Sequence, residues 1–592
     1  MRIEPFLFVK SATHPVYHPT ADRVTYLSNM TGIPQVWEYD REKELNYQLS
    51  FTSERIMFVG YISGSSQKII GMDEGVNERQ QLYLLHSDST LTPLTDQPDF
   101  IHKYGGASAD GKRIAWASNR RNPRFFDIYV QDLESLEFRC VYEVDGSYAP
   151  IAWHPQQEAL LIEKTNTNLD QDLGLLDLQS GEVKWLTSHN GEAGFYHAHF
   201  SQSGDSIFVL TNMDHEYVGL AEISTTTGQL TWLDQEFWDL EKLAINKAKT
   251  HVAYSINEGG YSKAVLYRLE DGTKTHWEHP QGVIEKISFS PDGKKLAFVL
   301  NGATHPTDLW EYDLVKNETK RLTYVSCSPS VQEELVEPEL IEYISFDGLK
   351  IPAFYYKPKN TTGPLPVLVF VHGGPESQIR PTYNPFLQYF IHHGYAVCTP
   401  NVRGSSGYGK TSIHLDDKRK RMDSVQDLVS LVDWLKAEGD ADPKRISIMG
   451  RSYGGFMVLA AITHHPDLWA AAIDIVGISS FKSFLQNTSV WRRKLREAEY
   501  GSLEEDSDFF DQIDPIHYTD KIKAPLLVLH GANDPRVPVE EAEQIVADLK
   551  KRDHPVEYIC FENEGHFFVR TENNITAYTE VARFLDRWLT KS

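Results

Sequence analysis

A loose unit of about 45 residues recurs through the first half of the sequence and constrains its fold more than any other feature. In one copy, residues 287–300, two apolar segments flank the turn Pro291-Asp292-Gly293, and a third segment, 308–313, ends at an acidic residue. Signals for this third segment recur at Val36, Leu82, Ile128, Leu173, Val218, Ala264 and Leu309. Alternating apolar residues between turns are typical of antiparallel strands, and this period is typical of a propeller blade. The sequence therefore predicts a seven-bladed β-propeller over residues 1–330.

After residue 330 the period changes, and strands alternate with helices. Continuous apolar runs at 366–371 and 395–400 are typical of strands buried on both faces. Further strands are predicted at 445–449, 525–530 and 556–561, a hairpin at 341–352, and helices at 425–439 and 575–589. This alternation indicates a mostly parallel α/β sheet. Residues 331–592 are therefore predicted to form a separate α/β domain.

Three polar residues follow strands of this predicted sheet. Ser452 lies in residues 450–454, which have the G-x-S-x-G spacing of a nucleophile elbow. Asp534 and His566 each follow a later strand, so that the three residues come after three consecutive predicted strands. Because sites on parallel sheets form at the carboxyl ends of strands, we expect these side chains to meet there. Their order along the chain is that of the α/β-hydrolase triad, which predicts that residues 331–592 form an α/β-hydrolase catalytic domain.

The residue types at these positions suit acyl transfer. A serine hydroxyl is a weak nucleophile, so His566 would take the Ser452 proton and later return it to the leaving group. Asp534 would fix the imidazole tautomer and stabilise its charged form. The oxyanion of the intermediate needs N–H donors, and we expect them from the backbone of Tyr453 and of Gly374. No cofactor is required for this chemistry.

The bulk composition limits the partners. There are 58 Lys and Arg residues against 83 Asp and Glu residues, and this net charge of −25 argues against a nucleic acid or an anionic membrane as partner. His197 and His199 form an H-x-H without a third ligand, so no metal site is predicted. The sequence shows no signal peptide and no membrane-length apolar stretch. The four separated cysteines fit free thiols in a reducing compartment: Cys140, Cys327, Cys398 and Cys560. A cytoplasmic location is expected, and a homo-oligomer is left open.

The propeller and hydrolase, together with their motifs, resemble the prolyl oligopeptidase family of serine peptidases. The motifs that carry this resemblance are His372-Gly373-Gly374-Pro375, Asn401-Val402-Arg403-Gly404-Ser405-Ser406-Gly407-Tyr408-Gly409, Gly450-Arg451-Ser452-Tyr453-Gly454-Gly455 and Gly565-His566. Tyr453 after the serine resembles the acylaminoacyl peptidase (acylpeptide hydrolase) branch, since prolyl oligopeptidases proper carry Asn there. Arg451 before the serine separates the chain from dipeptidyl peptidase IV-like members, which carry Trp.

The resemblance implies a serine exopeptidase that releases N-acylated amino acids from short peptides through an acyl-enzyme, with the propeller restricting access. Arg536 would either bind substrate or pair with an acidic group. Phe481 and Phe484 would either line the substrate pocket or pack in the core. Family members often begin with a helix that packs on the hydrolase, and the few residues before the first blade predict that this contact is missing.

Three alternatives remain at this stage. A carboxylesterase, or a broader oligopeptidase or aminopeptidase, would use the same three residues with a different substrate. A propeller-bearing binding protein would have no catalytic activity, although Ser452, Asp534 and His566 argue against it.

Overall fold

The first half of the chain folds into a ring of seven antiparallel sheets with four strands each. The computed structural model describes residues 2–325 and 329–589, and every blade within these ranges is built from four consecutive strands. The strands are β1 (Ala12–Tyr17), β2 (Arg23–Ser28), β3 (Gln35–Asp40), β4 (Leu45–Gln48), β5 (Ile56–Tyr61), β6 (Lys68–Met72), β7 (Gln81–Leu85), β8 (Leu91–Pro93), β9 (His102–Ala107), β10 (Arg113–Ser118), β11 (Asp127–Asp132), β12 (Phe138–Tyr142), β13 (Ser147–Trp153), β14 (Ala159–Thr165), β15 (Gln171–Asp177), β16 (Val183–Trp185), β17 (Phe195–Phe200), β18 (Ser206–Thr211), β19 (Gly219–Ser224), β20 (Leu230–Asp234), β21 (Leu240–Ile245), β22 (His251–Glu258), β23 (Tyr261–Arg268), β24 (Lys274–Trp277), β25 (Val283–Phe289), β26 (Lys295–Gly302), β27 (His305–Asp313) and β28 (Glu318–Arg321). The predicted seven-bladed propeller is confirmed.

The recurring turn explains why the repeat folds this way. Between β25 and β26 the Ser290 hydroxyl donates to Asp292 at 2.6 Å, and Gly293 adopts a positive φ of 70°. Ser108, Asp110 and Gly111 build the same turn between β9 and β10. Glycine takes this left-handed conformation without steric cost, so the repeated Asp-Gly pair fixes the hairpin between the first two strands of a blade.

The ring is closed by packing between its first and last blades. Apolar residues of β1 and β2 contact β26 and β27 in one cluster that includes Tyr17, Tyr26, Val299 and Leu309. The Tyr17 hydroxyl also donates to Glu311 of β27 at 2.9 Å. Since the first and last blades share no strand, side-chain contacts join the two ends, and they include this hydrogen bond and an ion pair between Arg41 and Glu311.

The second half is an eight-stranded sheet with helices on both faces. Its strands are β29 (Glu339–Ile344), β30 (Lys350–Tyr356), β31 (Leu365–Val371), β32 (Ala396–Pro400), β33 (Ala441–Arg451), β34 (Ala471–Ile475), β35 (Leu526–Gly531) and β36 (Val556–Phe561), in the spatial order β29-β30-β32-β31-β33-β34-β35-β36. The first three strands in this spatial order pair antiparallel, and the others pair parallel. The predicted α/β-hydrolase fold is confirmed.

Helices cover both faces of this sheet. They are α1 (Glu4–Leu7), α2 (Pro329–Gln332), α3 (Pro385–His392), α4 (Lys410–Ile413), α5 (Arg421–Ala437), α6 (Tyr453–His464), α7 (Phe481–Asn487), α8 (Val490–Tyr500), α9 (Ser507–Ile513), α10 (Glu540–Lys551) and α11 (Thr571–Leu589), with 3₁₀ turns at Lys418–Lys420 and Pro515–Lys521. One apolar cluster lies under α5, α6 and α10, and another lies under α3 and α11.

Two details of the expected fold are wrong. Strand β34 (Ala471–Ile475) lies between β33 and β35, so the strands before Ser452, Asp534 and His566 are not consecutive. Its sequence, AAIDI, is short and contains an aspartate, and it therefore lacks the apolar run that marks a buried strand.

The contact between the N-terminal segment and the hydrolase is present. Helix α1 is one turn long, and it buries Ile3 and Phe6 in the apolar cluster beneath α3 and α11. The Tyr383 hydroxyl donates to the carbonyl oxygen of Phe6 at 2.8 Å. A single turn is enough because Ile3 and Phe6 supply the buried side chains of this contact, with Leu7 packed against the same cluster. The division of the chain into two domains at residue 330 remains a proposal. The residues before the first blade are an exception to it, because they pack on the hydrolase domain.

Of the four cysteines, Cys140, Cys398 and Cys560 are free thiols, and Cys327 lies outside the described residues. No helix within residues 2–325 and 329–589 combines the length and the apolar character needed to span a membrane.

Candidate active site

Ser452 lies on a sharp turn between β33 and α6. Its backbone has φ 59° and ψ −122°, and its N–H donates to the carbonyl oxygen of Ile475 at 2.9 Å. A Cβ at Gly450 would lie 2.1 Å from the carbonyl oxygen of Gly454, and one at Gly454 would lie 2.2 Å from that of Val371. Both glycines of the motif are therefore required by close backbone approach, and the serine occupies a conformation that non-glycine residues rarely adopt.

Asp534 and His566 form a buried pair on the loops after β35 and β36. The ring Nδ1–H of His566 donates to Asp534 Oδ2 at 2.6 Å. The other carboxylate oxygen of Asp534 accepts the backbone N–H groups of Arg536 at 2.8 Å and Val537 at 3.0 Å. These bonds fix the carboxylate and leave Nε2 as the ring nitrogen that faces away from Asp534.

The electrostatics of this pair suit a neutral base beside a charged carboxylate. Burial lowers the pKa of His566 below its ordinary value, and the adjacent Asp534 opposes only part of that effect. Burial would raise the pKa of Asp534, but the His566 ring and the surrounding hydrogen bonds lower it below the usual value instead. At neutral pH, the aspartate is therefore ionised and the imidazole is mostly neutral.

Ser452 and His566 line one cavity of about 450 Å³ at the carboxyl edge of the sheet, between the two domains. Within the described chain the Ser452 hydroxyl and the His566 ring are not hydrogen-bonded to each other. Such contacts are often longer in the absence of substrate and tighten when it binds. The structure thus brings Asp534 and His566 into direct contact, and Ser452 and His566 to the same cavity.

The two expected N–H donors adjoin Ser452. Tyr453 is the first residue of α6, and the first N–H groups of a helix have no partner inside it. A Cβ at Gly373 would lie 3.1 Å from the Ser452 Cβ, so the loop with Gly374 lies against the elbow. Gly374 itself has φ 137°, which favours glycine. Neither the Tyr453 N–H nor the Gly374 N–H has a hydrogen-bond partner in the part of the chain that the structure describes.

A buried polar cluster holds the Tyr453 side chain. The Tyr453 hydroxyl donates to Asp416 at 3.0 Å, lies 2.9 Å from Ser424 Oγ, and accepts from Arg421 at 3.2 Å. Arg421 is 1% exposed and also pairs with Asp416 and Glu499. This cluster fixes the first turn of α6. No local sequence pattern marks this cluster, because its members come from separate loops and helices.

The proposed substrate-binding residues have different surroundings. Arg536 lines the cavity, and its Nε donates to Glu78 of the propeller at 2.8 Å. Phe484 also lines the cavity. Phe481 does not, because its ring is 1% exposed and packs in the core between Phe456 and Tyr500 at centroid distances of 4.6 and 4.8 Å. Core packing is therefore the correct reading of Phe481.

The propeller closes the cavity from the opposite side. Asn168 and Leu169 line it, and the Asn168 amide donates to Glu376 of the hydrolase loop at 2.6 Å. His197 and His199 instead line the axial cavity of the ring, which has about 1220 Å³. Nowhere in the described ranges do three or more His, Cys, Asp or Glu side chains gather in a way that could hold a metal ion.

A serine on a strand–turn–helix elbow, beside an Asp–His pair at the carboxyl edge of a largely parallel sheet, defines an α/β-hydrolase of the serine type. Residues 381–592 match the family model described as "Prolyl oligopeptidase family". This matched segment contains Ser452, Asp534 and His566, and the match agrees with the resemblance that the motifs indicate.

Individual relatives extend this comparison. The chain is 30% identical to dipeptidyl aminopeptidase BIII of Pseudoxanthomonas mexicana over 48% of its own length and 43% of that protein. It is 29% identical to the acylamino-acid-releasing enzyme of Arabidopsis thaliana over 38% of its length and 30% of that protein. These alignments therefore span less than half of each relative. A puromycin-hydrolyzing peptidase of Mycobacterium tuberculosis shares the fold, with a TM-score of 0.87 and 18% identity over 100% of this chain and 96% of that one.

Proposed function

We propose that the protein is a serine peptidase that hydrolyses short peptides, releasing N-acylated amino acids from blocked N-termini through an acyl-enzyme intermediate. The observation that carries the proposal is the buried Asp534–His566 pair, which faces the Ser452 elbow across a cavity covered by the propeller. The acylamino-acid-releasing enzyme among the relatives supports this substrate class.

In the first half of the reaction, Ser452 Oγ attacks the carbonyl carbon of the acylated residue while His566 takes its proton. Asp534 stabilises the resulting imidazolium. The N–H groups of Tyr453 and Gly374 donate to the oxyanion of the tetrahedral intermediate. His566 then returns the proton to the leaving amine, and the shortened peptide departs.

In the second half, a water molecule attacks the ester carbonyl of the acyl-enzyme. His566 takes a proton from this water and passes it to Ser452 Oγ as the ester bond breaks. The products are the N-acylated amino acid and the free enzyme.

The depth of the site supports peptides rather than folded proteins as substrates. The cavity lies between the hydrolase loops and the propeller residues Asn168 and Leu169. A folded protein cannot reach Ser452 while the two domains are in contact, whereas an extended chain end can. A cytoplasmic location remains part of the proposal, and the oligomeric state is left open.

A fluorophosphonate probe and an acetyl-amino acid anilide test the assignment of Ser452. We expect Ser452→Ala to abolish labelling and to lower kcat by a factor of roughly 10⁶. Ser87→Ala, at an exposed propeller position, is the matched control and should leave both unchanged. Full hydrolysis by the Ser452→Ala variant would refute the proposal.

An aminopeptidase reading is favoured by one observation. The Glu376 carboxylate lines the same cavity, and burial raises its pKa above the ordinary value. A free substrate amino group could pair with it. Comparing hydrolysis of free and acetylated forms of one peptide separates the two functions. A preference for the free form that is lost in Glu376→Gln would support an aminopeptidase.

Negligible anilide cleavage beside rapid ester cleavage would favour the carboxylesterase.

A further inference from the structure

One face of helix α8 forms a wall of the active-site cavity. Arg492, Arg496 and Tyr500 are four residues apart, and this spacing places their side chains along one side of a helix. All three line the cavity that also contains Ser452 and His566. The wall beside the proposed nucleophile therefore carries two guanidinium groups, one turn of α8 apart.

Four arginines line this cavity, and three of them have partners within the protein. Arg451 donates to the carbonyl oxygen of His566 at 3.0 Å, Arg496 pairs with Glu499 at 3.3 Å, and Arg536 pairs with Glu78 at 2.8 Å. Arg496 also donates to the carbonyl oxygen of Gly374 at 3.3 Å, in the loop beside the elbow. These three guanidinium groups hold parts of the site together.

Arg492 differs from the other three arginines. Within residues 2–325 and 329–589, its guanidinium has no hydrogen bond and no salt bridge. Its Cζ lies over the Trp491 ring, 5.1 Å from the ring centroid. Burial, with Arg536 and Arg496 nearby, lowers its pKa to about 10, so it remains charged at neutral pH. Burial of this cation is costly, and Glu78 and Asp534 offset only part of the cost because neither contacts it directly. A ligand carboxylate in direct contact would relieve the rest.

Apolar side chains accompany Arg492 in the cavity. Ile478, Phe484 and Val537 line it, and they can contact the methylene groups of a substrate side chain. A cavity with apolar walls and one unpaired guanidinium matches a side chain that has a short apolar stem and a terminal carboxylate.

We propose that Arg492 determines specificity by pairing with an acidic side chain on the residue whose carbonyl Ser452 attacks, so that the preferred substrates are N-acylated glutamate and aspartate. This inference rests on the proposed function, because it assigns the acidic group to the acylated residue. It selects one substrate class for the site without changing the reaction.

Matched substrates test the proposal in the unaltered enzyme. N-acetyl-glutamyl and N-acetyl-glutaminyl anilides have nearly the same shape and differ in the charge of the side chain. A charge-assisted hydrogen bond corresponds to a preference in kcat/KM of about 10- to 100-fold for the glutamyl substrate. Equal kcat/KM values for the two substrates would overturn the inference.

Variants then assign the preference to one residue. We expect Arg492→Gln to bring the ratio of the two kcat/KM values close to one, and Arg492→Lys to retain part of it. Lys494→Gln removes the same charge from an exposed position of α8 and should keep the full ratio. A ratio that persists in Arg492→Gln would refute the role of Arg492.

Binding separates this inference from the proposed reaction. In the Ser452→Ala variant, we expect calorimetry to show tighter binding of N-acetylglutamate than of N-acetylglutamine, by a factor of at least about ten, and Arg492→Gln to remove the difference. If no anilide is hydrolysed, the proposed function fails, and the binding comparison still decides for or against Arg492. If neutral anilides are hydrolysed but the glutamyl and glutaminyl substrates do not differ, only the inference about Arg492 fails.

Discussion

At the scale of single residues, the site depends on backbone positions that tolerate almost no substitution. Ser452 has a positive φ of 59°, and it is held there by the elbow glycines and by the bond from its N–H to Ile475. The cost of this conformation is met by the packing of β33 and α6 around it. Substitutions at the elbow should therefore affect stability as well as catalysis.

Gly454→Ala tests this constraint. Its Cβ would lie 2.2 Å from the carbonyl oxygen of Val371, so the strand or the helix must shift, and we expect a loss of more than about 2 kcal/mol in the free energy of unfolding. Gly60→Ala is the control, because its Cβ would meet only the Tyr104 ring at 3.8 Å. Chemical denaturation measures both variants, and equal stabilities would contradict the argument.

The pKa of His566 predicts the acidic limb of the pH profile. The ring must be neutral to accept the Ser452 proton, and burial disfavours its charged form, which lowers its pKa below 6.5. Activity should therefore rise with pH through a midpoint below 6.5 and remain high at neutral pH. Measuring kcat/KM for an acetylated anilide from about pH 4 to pH 9 checks this. A midpoint at or above 6.5 would mean that the imidazolium is not destabilised.

At the scale of elements, the shortest helix makes a contact that its length does not suggest. Helix α1 (Glu4–Leu7) buries the Phe6 ring, which is 1% exposed and lies 6.0 Å from the Tyr389 ring of α3. Two residues later, Phe8 is 50% exposed. Two positions, about half a helical turn, thus separate a core side chain from a surface one.

These two phenylalanines give a matched pair of variants. We expect Phe6→Ala to lower the free energy of unfolding of the hydrolase domain by about 3 to 5 kcal/mol, because it leaves a cavity between α1 and α3. Phe8→Ala removes the same ring from the surface and should change stability by about 0.5 kcal/mol or less. Urea denaturation followed by the activity of the enzyme compares them. Equal losses would show that α1 is not part of the hydrolase core.

Elements with a local signal were predictable, and those that depend on distant contacts were not. The Asp-Gly turns predicted the blades, and the G-x-S-x-G spacing predicted the Ser452 elbow. Strand β34 (Ala471–Ile475) was missed because small residues and an aspartate are buried there by neighbouring strands on both sides. Phe481 and Phe484 lie in the same helix, and only the folded structure distinguishes core from cavity. Whether the Arg492 guanidinium has a partner likewise depends on which carboxylates the neighbouring arginines pair with.

At the scale of the whole molecule, polar contacts join the two domains. Besides the pairs Arg536–Glu78 and Asn168–Glu376, Arg380 pairs with Glu241 of the propeller at 2.8 Å. His414 bridges Glu192 of the propeller at 2.9 Å and Asp417 at 2.7 Å. Because these contacts link the propeller to the hydrolase, the relative position of the two domains depends on charge.

His414 gives this interface a predictable pH dependence. Its hydrogen bonds to Asp417 and Glu192 raise its pKa from 6.5 to about 10. A raised pKa in the folded state contributes stability that is complete below pH 6.5 and is lost as the pH rises towards 10. The stability difference between the wild type and His414→Gln should follow this course, reaching at most about 1 kcal/mol because the pair is partly exposed.

Thermal or urea unfolding at several pH values measures this difference. His276→Gln is a suitable control, because His276 is exposed on β24 and its side chain makes no hydrogen bond or salt bridge in the described ranges. The stability difference from the wild type should be absent in His276→Gln. A stability difference between the wild type and His414→Gln that grows with increasing pH would have the wrong sign. It would exclude the ion pair as the cause of the difference.

The closure of the ring has a consequence for the propeller while the rest of the chain is still being synthesised. Ile3 and Phe6 precede the first blade, Val331 and Leu335 follow the last, and all four pack in the apolar cluster under α3 and α11. Both ends of the ring are therefore fastened to the hydrolase domain. The ribosome completes β28 (Glu318–Arg321) long before α11 (Thr571–Leu589) emerges. Until then, the nascent propeller must keep its two ends together by the side-chain contacts between its first and last blades.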